Sequence, residues 1–409
     1  MALKLKQSDV LLIVTTIYYV LINMSDLVSF GNVLLVLSMV LFFFYNIWTN
    51  HGKAKLVFNK FHLYILCFML FTLASSTWAT DASLTMPKFN AMLFILLAMI
   101  VVTMNNNDDN AIDRLCKCLL YGNYCVVLIS ILIFGWGNII EAISDNIRYS
   151  KLGINANQLG MCGAYAIIIN FHYILNLRKK LVVSDVLMVP TLITIIASGS
   201  RKAILMIAIG FFGLLLLRRE TKIRVILMRT LIALPILAVI IWLLSKIESM
   251  QIIFGRVSDL VNLINGNATR YNNTAWLRFE YIKLGFDLFK EHPLLGVGIG
   301  NSNYYTLLYY GNNHYLHNNF MELLGCGGIV GFVLYYSIYL SSLRTLLRNR
   351  EQKRTDVHYD FCLILLVIMI INGIALVQYF SKSTYFFLLL IWLETRKVKS
   401  RKQIREAGV

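Results

Sequence analysis

The sequence predicts an all-α polytopic membrane protein with about 12 transmembrane helices and one large extracytoplasmic loop containing short helices. Three observations predict it. Residues of the set AVILMFWYC make up 58% of the 409 residues and charged residues only 14%, against about 45–50% and about 25% in soluble domains. The mean hydropathy is +0.67. Apolar runs of roughly 16–22 residues recur with polar breaks, near the roughly 20 residues that a crossing helix needs. Four prolines and no long polar stretch exclude a disordered or collagen-like chain.

The first run, Val10–Ile22, follows Lys4 and Lys6 as a signal peptide would. Asn23-Met24-Ser25-Asp26 offers no small-residue cleavage site, so the run reads as an uncleaved first span. The runs predict spans near 9–24, 30–48, 61–77, 89–104, 117–136, 158–177, 184–199, 201–217 and 225–245. Three more follow near 319–342, 360–378 and 380–394. The seventh and eighth are parted only by Ser198-Gly199-Ser200-Arg201-Lys202. The organisation expected is residues 1–245 as helices one to nine, 246–318 as the large loop, 319–394 as helices ten to twelve, and 395–409 as a basic cytoplasmic tail.

The net charge is +17, from 38 Lys and Arg against 21 Asp and Glu. In a membrane protein such an excess fixes orientation, and no nucleic-acid-binding signature accompanies it, so no nucleic acid is expected as partner. Lys53, Lys55, Lys60, Arg178-Lys179-Lys180, Arg218, Arg219, Lys222, Arg224, Arg344–Arg354 and Arg396–Arg405 fall on one side of the predicted topology. Both termini are therefore expected in the cytoplasm. The 105–116 loop, with Asp108, Asp109 and Asp113, is the exception to this pattern. The seven cysteines form no CxxC pair, and Cys116-Lys117-Cys118 is too tight for a zinc ribbon, so neither a disulfide nor a structural metal is expected. No internal repeat links the two halves, which counts against an inverted-repeat transporter.

Loop 246–318 is the long one in an otherwise tightly connected chain, the usual place for function. Within it, Ala275–Glu291 has helical periodicity. Glu280, Lys283, Asp287, Lys290 and Glu291 fall in one polar wedge, whereas Arg278 shares the opposite face with Ile282, Gly285 and Phe289. A charge on a burying face costs several kcal/mol unless paired. Arg278 either pairs with a carboxylate, snorkels to headgroups, or binds the phosphate oxygens that its planar fork suits. Arg201 and Lys202 sit in a turn that the topology places outside, against the trend of basic loops. They either anchor a helix end or complete a cation set with Arg278 for a pyrophosphate. His292-Pro293-Leu294-Leu295-Gly296-Val297-Gly298-Ile299-Gly300-Asn301 lacks both phosphate-loop spacings and reads as a turn letting backbone approach a ligand or the membrane. His317 is the candidate general base, since imidazole accepts protons near neutrality. His314, one turn away, is the alternative base, and Glu322 the nearest acid to orient a histidine or pair with an arginine.

Trp276-Leu277-Arg278, Phe289 with His292-Pro293 and Gly296, and His317-Asn318 followed after Asn319–Gly327 by Gly328-Ile329-Val330-Gly331 resemble the O-antigen ligase/polymerase superfamily. Ser198-Gly199-Ser200-Arg201 resembles its Ser-Arg element, and Gly153-Ile154-Asn155-Ala156-Asn157-Gln158 its Asn-rich element. The resemblance covers about residues 150–345. It implies a multi-pass glycosyltransferase of the bacterial cytoplasmic (inner) membrane, without cofactor or metal. The partners implied are an undecaprenyl-pyrophosphate-linked oligosaccharide, membrane lipids and a chain-length-regulating co-polymerase. Arg201 and Arg278 would bind the donor pyrophosphate with His317 as base. Lys202, His314, Asn318, Glu322, Asn157 and Trp276 are the candidate substrate-binding residues. Tyr315 ahead of His317, with Tyr335-Tyr336 beyond it, favours a repeat-unit polymerase for O-antigen or capsule. The alternatives are an O-antigen ligase that transfers polymer to lipid A-core and a lipid-linked glycan flippase or other transporter.

Overall fold

The computed structural model describes residues 6–24, 31–144, 156–177, 182–217, 228, 274–349 and 356–406. Among them every regular element is an α-helix. In chain order these are α1 (Gln7–Met24), α2 (Gly31–Thr49), α3 (Lys60–Ser75), α4 (Ala82–Asn105), α5 (Ala111–Phe134), α6 (Trp136–Ser144) and α7 (Ala156–Asn176). There follow α8 (Val183–Val186), α9 (Met188–Ser198), α10 (Arg201–Leu217), α11 (Thr274–Glu291), α12 (Ser302–Tyr310), α13 (Asn319–Arg348), α14 (Tyr359–Gly373) and α15 (Lys382–Glu406).

Polar residues at the sequence breaks start and stop these helices. Asn59, Asp81 and Asn318 cap α3, α4 and α13, each accepting a bond from an amide of the first turn. Gly199 and Gly311 end α9 and α12 in the left-handed conformation. Five helices, α1, α4, α5, α7 and α13, are long and apolar enough to cross a membrane, and α3, α14, Val33–Thr49 and Ser184–Ser198 are shorter apolar segments. Apart from Met228, the expected span near 225–245 lies outside the described residues, as does loop segment 246–273. The expected span 184–199 is interrupted at Leu187, where α8 gives way to α9. The expected basic tail is helical from its start, since α15 runs on through Arg396 to Glu406.

The core lies where α5 packs on α1 and α7, α7 on α9 and α10, and α10 on α14. Residues Tyr385–Leu393 of α15 are all buried within it. Small residues set the close approaches: a Cβ on Gly122 would meet the Tyr19 ring at 2.5 Å, and one on Gly210 would meet Ile168 at 2.6 Å.

The bundle has two ends. Lys53, Lys55, Lys60, Arg344, Arg348, Arg396 and Lys397 lie at one of them, here the far end. At the other, the α3–α4 turn meets the segment around Val297 and Asn301, and the α14–α15 connection meets the start of α13 and, through Ala375, the first turn of α10. Thr80 donates its amide to the Val297 carbonyl (3.3 Å), Asp81 to Asn301 Oδ1 (2.6 Å), and Gln378 to Asn319 Oδ1 (2.8 Å).

The element that organises this end is a break in α13. Gly328 has φ 58° and ψ −164°, outside helical geometry. Segment 293–298 fills the gap left by the broken helix. The amides of Val297 and Gly298 donate to the carbonyls of Gly325 and Cys326 (3.1 and 2.9 Å). The amides of Ile329 and Val330 donate to the carbonyls of Pro293 and Leu294 (2.9 and 3.2 Å). The glycine-rich segment thus approaches the protein's own backbone, and the glycines are what the contact requires. A Cβ on Gly296 would lie 2.4 Å from the Cys326 carbonyl carbon, and one on Gly328 2.3 Å from the Leu294 oxygen.

We predict that Gly328→Ala destabilises the protein by roughly 2–5 kcal/mol, combining left-handed strain with a backbone clash. Gly331→Ala, whose nearest neighbours are atoms of the Phe71 ring rather than backbone, should cost less than half of that. Thermal unfolding of the two purified variants in detergent micelles checks the order, and equal midpoints would refute it.

Candidate active site

The site forms around His317, in the connection between α12 and α13. Its φ of 56° makes it, with His51, one of two non-glycine residues in the left-handed region among those described. Such strain persists only where the surroundings impose it, and here they do so on both sides. Before His317, the Leu316 amide donates to Glu322 Oε2 (2.9 Å). Thr306 Oγ1 donates to the His314 carbonyl (2.6 Å) and accepts the His314 amide (3.2 Å). After it, the Asn318 side chain accepts the amides of Phe320 and Met321 (2.9 and 3.1 Å). Glu322 is 1% exposed, and its second carboxylate oxygen accepts from Ser302 Oγ (2.6 Å).

Aromatic rings enclose the imidazole. Tyr281 lies nearly parallel to it at 6.2 Å and 14°, Tyr315 is 4.5 Å away, and the exposed His314 is 6.1 Å away. Tyr281 comes from α11, which is held close because Gly285 faces Leu316 and Met321, and Gly325 faces the Gly285 carbonyl.

Arg278 lies on this same flank of α11, three residues before Tyr281. It is half-buried, as its place opposite the polar wedge implies. Lys202, from the first turn of α10, donates to the Ala375 carbonyl and so ties α10 to the α14–α15 connection. The two cations act on His317 together. Burial pushes the imidazole below its ordinary range, and the positive charges of Arg278, Lys202 and His314 push it further, to about 4. At neutral pH His317 is therefore the free base. Arg278 also draws the Tyr315 phenol down, against the larger upward effect of burial and that of Glu322.

The structure thus brings together His317, His314, Arg278 and Lys202. Arg201 opens α10 beside Lys202, half-buried, after Ser200 has accepted the first amides of that helix. Asn157 sits in the first turn of α7, three residues before Gly160, whose Cβ would meet Ser200 at 2.6 Å. Trp276 sits half-buried in the first turn of α11. Asn318 and Glu322 hold the loop, their oxygens occupied by backbone and Ser302 donors. Gly153 and Asn155, in the Asn-rich element, lie outside the described residues. Sequence reasoning missed Tyr281, Ser302 and Thr306. The spacing of three between Arg278 and Tyr281 was the available signal for the first. The other two act over spacings of eight to twenty residues, with no local pattern to mark them.

Residues 186–336 match the family model described as O-antigen ligase. That match is consistent with the O-antigen ligase/polymerase superfamily. No curated protein matches the chain. The matched segment runs from α8 to the middle of α13 and includes Arg201, Lys202, Arg278 and His317. The O-antigen ligase domain and the apolar helices together point to a multi-pass membrane enzyme of O-antigen processing, of ligase or polymerase type.

We predict that Arg278→Gln raises the His317 midpoint above its value of about 4, because removing a neighbouring positive charge favours the imidazolium. NMR titration of protein carrying labelled histidine measures it. An unchanged midpoint would place Arg278 out of electrostatic reach.

Proposed function

We propose that the protein is a glycosyltransferase that polymerises undecaprenyl-pyrophosphate-linked repeat units of an O-antigen or capsular polysaccharide. It would work at the outer face of the bacterial cytoplasmic membrane, with both termini in the cytoplasm. The observation that carries the chemistry is one uncharged imidazole under the field of two fixed cations, Arg278 and Lys202. The basic residues gathered at the far end support the orientation.

In this reading Arg278, Lys202 and Arg201 receive the donor pyrophosphate, and Arg278 offers it a planar fork of donors. His317 takes the proton from the acceptor hydroxyl. The acceptor oxygen forms its bond to the anomeric carbon as the carbon–oxygen bond to the pyrophosphate breaks from the opposite face. The electron pair leaves with the pyrophosphate, and the anomeric centre inverts. Guanidinium and ammonium groups stabilise the charge that develops on the leaving group, the position a divalent ion takes in metal-dependent transferases.

The same charges tune the base. An imidazole with a midpoint near 4 is always deprotonated at neutral pH but is a weak proton acceptor. A pyrophosphate set against Arg278 and Lys202 neutralises the field that depresses it. His317 therefore becomes more basic when the donor is in place, which couples proton removal to a filled site. Glu322 and Asn318 act by holding the loop, and His314, exposed at 6.1 Å, is a neighbour of the base.

The name of the matching family favours one second reading, an O-antigen ligase that moves finished polymer to lipid A-core. Both readings use the same four side chains and differ in the acceptor.

Replacement of His317 by Asn, a residue that tolerates the left-handed conformation, removes the base and keeps the backbone. We expect His317→Asn and Arg278→Ala in the native host each to abolish the surface glycan ladder. Core bearing a single repeat identifies a polymerase. Core bearing none, with lipid-linked polymer accumulating, identifies a ligase. A normal ladder from both variants would overturn the site.

A further inference from the structure

Beyond the reacting centre, the polar face of α11 and the end of α12 enclose an open groove of about 520 Å³. Three carboxylates, Glu280, Asp287 and Glu291, and two ammonium groups, Lys283 and Lys290, line it with Tyr309 and Tyr310. We propose that this groove binds the acceptor saccharide, holding the sugar residues next to the hydroxyl that His317 deprotonates. The proposal rests on the glycosyl-transfer reading above and deepens it.

The chemistry of the walls selects this ligand. Tyr309 is 59% exposed and nearly parallel to Tyr305 (6.4 Å, 18°), so the face of α12 offers a ring platform to the groove. A pyranose presents one face of C–H groups, which packs on such a ring, and a rim of hydroxyls. Carboxylates accept pairs of those hydroxyls, and ammonium groups donate to them. Two of these polar groups are only loosely held. Lys290 meets Asp287 only at 3.5 Å, and their side chains are 59% and 48% exposed. A surface pair of that kind is worth about 0–1 kcal/mol, so its members can turn to a ligand at little cost. Charge separates this groove from the pyrophosphate site. Three carboxylates against two ammonium groups leave a formal −1. That repels a diphosphate but not the uncharged body of a glycan.

The groove is also continuous with the base. Tyr310 donates to Glu280 Oε2 (3.3 Å) in the groove wall, and its ring meets Tyr281 at 5.4 Å. Tyr281 in turn lies against His317. A glycan resting on Tyr309 and Tyr310 is thus two ring contacts from the imidazole. It sits on the face of α11 opposite Arg278, so the saccharide and the lipid-linked diphosphate approach the base from different sides.

The test uses the full-length protein in lipid nanodiscs. Lipid-free oligosaccharides of one and two repeats, released by mild acid from the host's own surface polysaccharide, are titrated by saturation-transfer NMR. We expect saturable binding, weakened roughly tenfold by Tyr309→Ala and by Asp287→Asn. Tyr309→Phe, which keeps the ring, and His317→Asn should bind as the parent does. In the host, Tyr309→Ala and Asp287→Asn should shorten the ladder. No binding to the parent protein, or binding within twofold of it in both groove variants, overturns the groove. If His317→Asn abolishes the ladder while the groove variants leave binding and ladder intact, the groove alone falls. If His317→Asn keeps a full ladder, the transferase reading falls whatever the titration gives.

Discussion

Four backbone hydrogen bonds between segment 293–298 and the interrupted α13 are the constraint on which the rest of the site end depends. A helix broken at Gly328 exposes carbonyls before the break and amides after it. In apolar surroundings each such group, left unpaired, costs several kcal/mol. The segment supplies both the donors and the acceptors that the broken helix lacks. Because it must lie against helix backbone, it must be glycine-rich. Because it must reach α13, α11 has to pack beside the first part of that helix, where Gly285 and Gly325 let the two come close. That packing places Arg278 and Tyr281 next to the connection that carries His317.

His317, the proposed base, is held by groups that take no proton in that proposal. Glu322, Thr306 and Asn318 fix the backbone on both sides of a residue in an unfavourable conformation, and each is satisfied by that task. Burial and cations then decide its protonation. The order of effects matters: burial is the larger cause of the lowered basicity, and Arg278 the largest of the charges. An uncharged imidazole is therefore built into the fold, set first by burial and then by the neighbouring cations.

The His-Asn pair and the Gly-x-x-Gly motif, nine residues apart, were legible as a pattern, and the structure gives the pattern a physical content. Asn318 is the cap that starts α13, and Gly328 is the point where that helix breaks, with the intervening residues forming its first turns. The helical stretch at 275–291 and its polar wedge were legible because periodicity is local. The role of the Gly296–Gly300 segment was legible only in part. Glycine signalled close backbone approach, but the partner was α13 and the α3–α4 turn. Nothing local announces that Asp81 will meet Asn301, or Gln378 Asn319, across 220 and 59 positions. Helix ends were equally opaque. The basic residues after Leu393 look like a tail, yet α15 continues through them, since Lys, Arg, Gln and Glu all favour helix once a helix is under way.

The two ends of the bundle are built differently, and the difference follows from what each must do. At the far end, side chains join helices whose backbones are complete. Asn46 donates to the Met104 carbonyl and Asn105 to that of Phe42, Arg114 pairs with Asp108, His172 meets His358 at 3.1 Å, and Lys397 pairs with Asp356 at 2.8 Å. At the site end the backbone itself leaves the helix. Eight of the ten described residues with left-handed φ lie there, and the other two, His51 and Gly52, share one exposed turn. Irregular backbone at membrane depth is tolerated only where protein or a water-filled cavity satisfies it. Among the described residues the strain is concentrated at one end, opposed by a core and by a far end where the His51-Gly52 turn carries it, which is how a fold sustains an unfavourable residue such as His317.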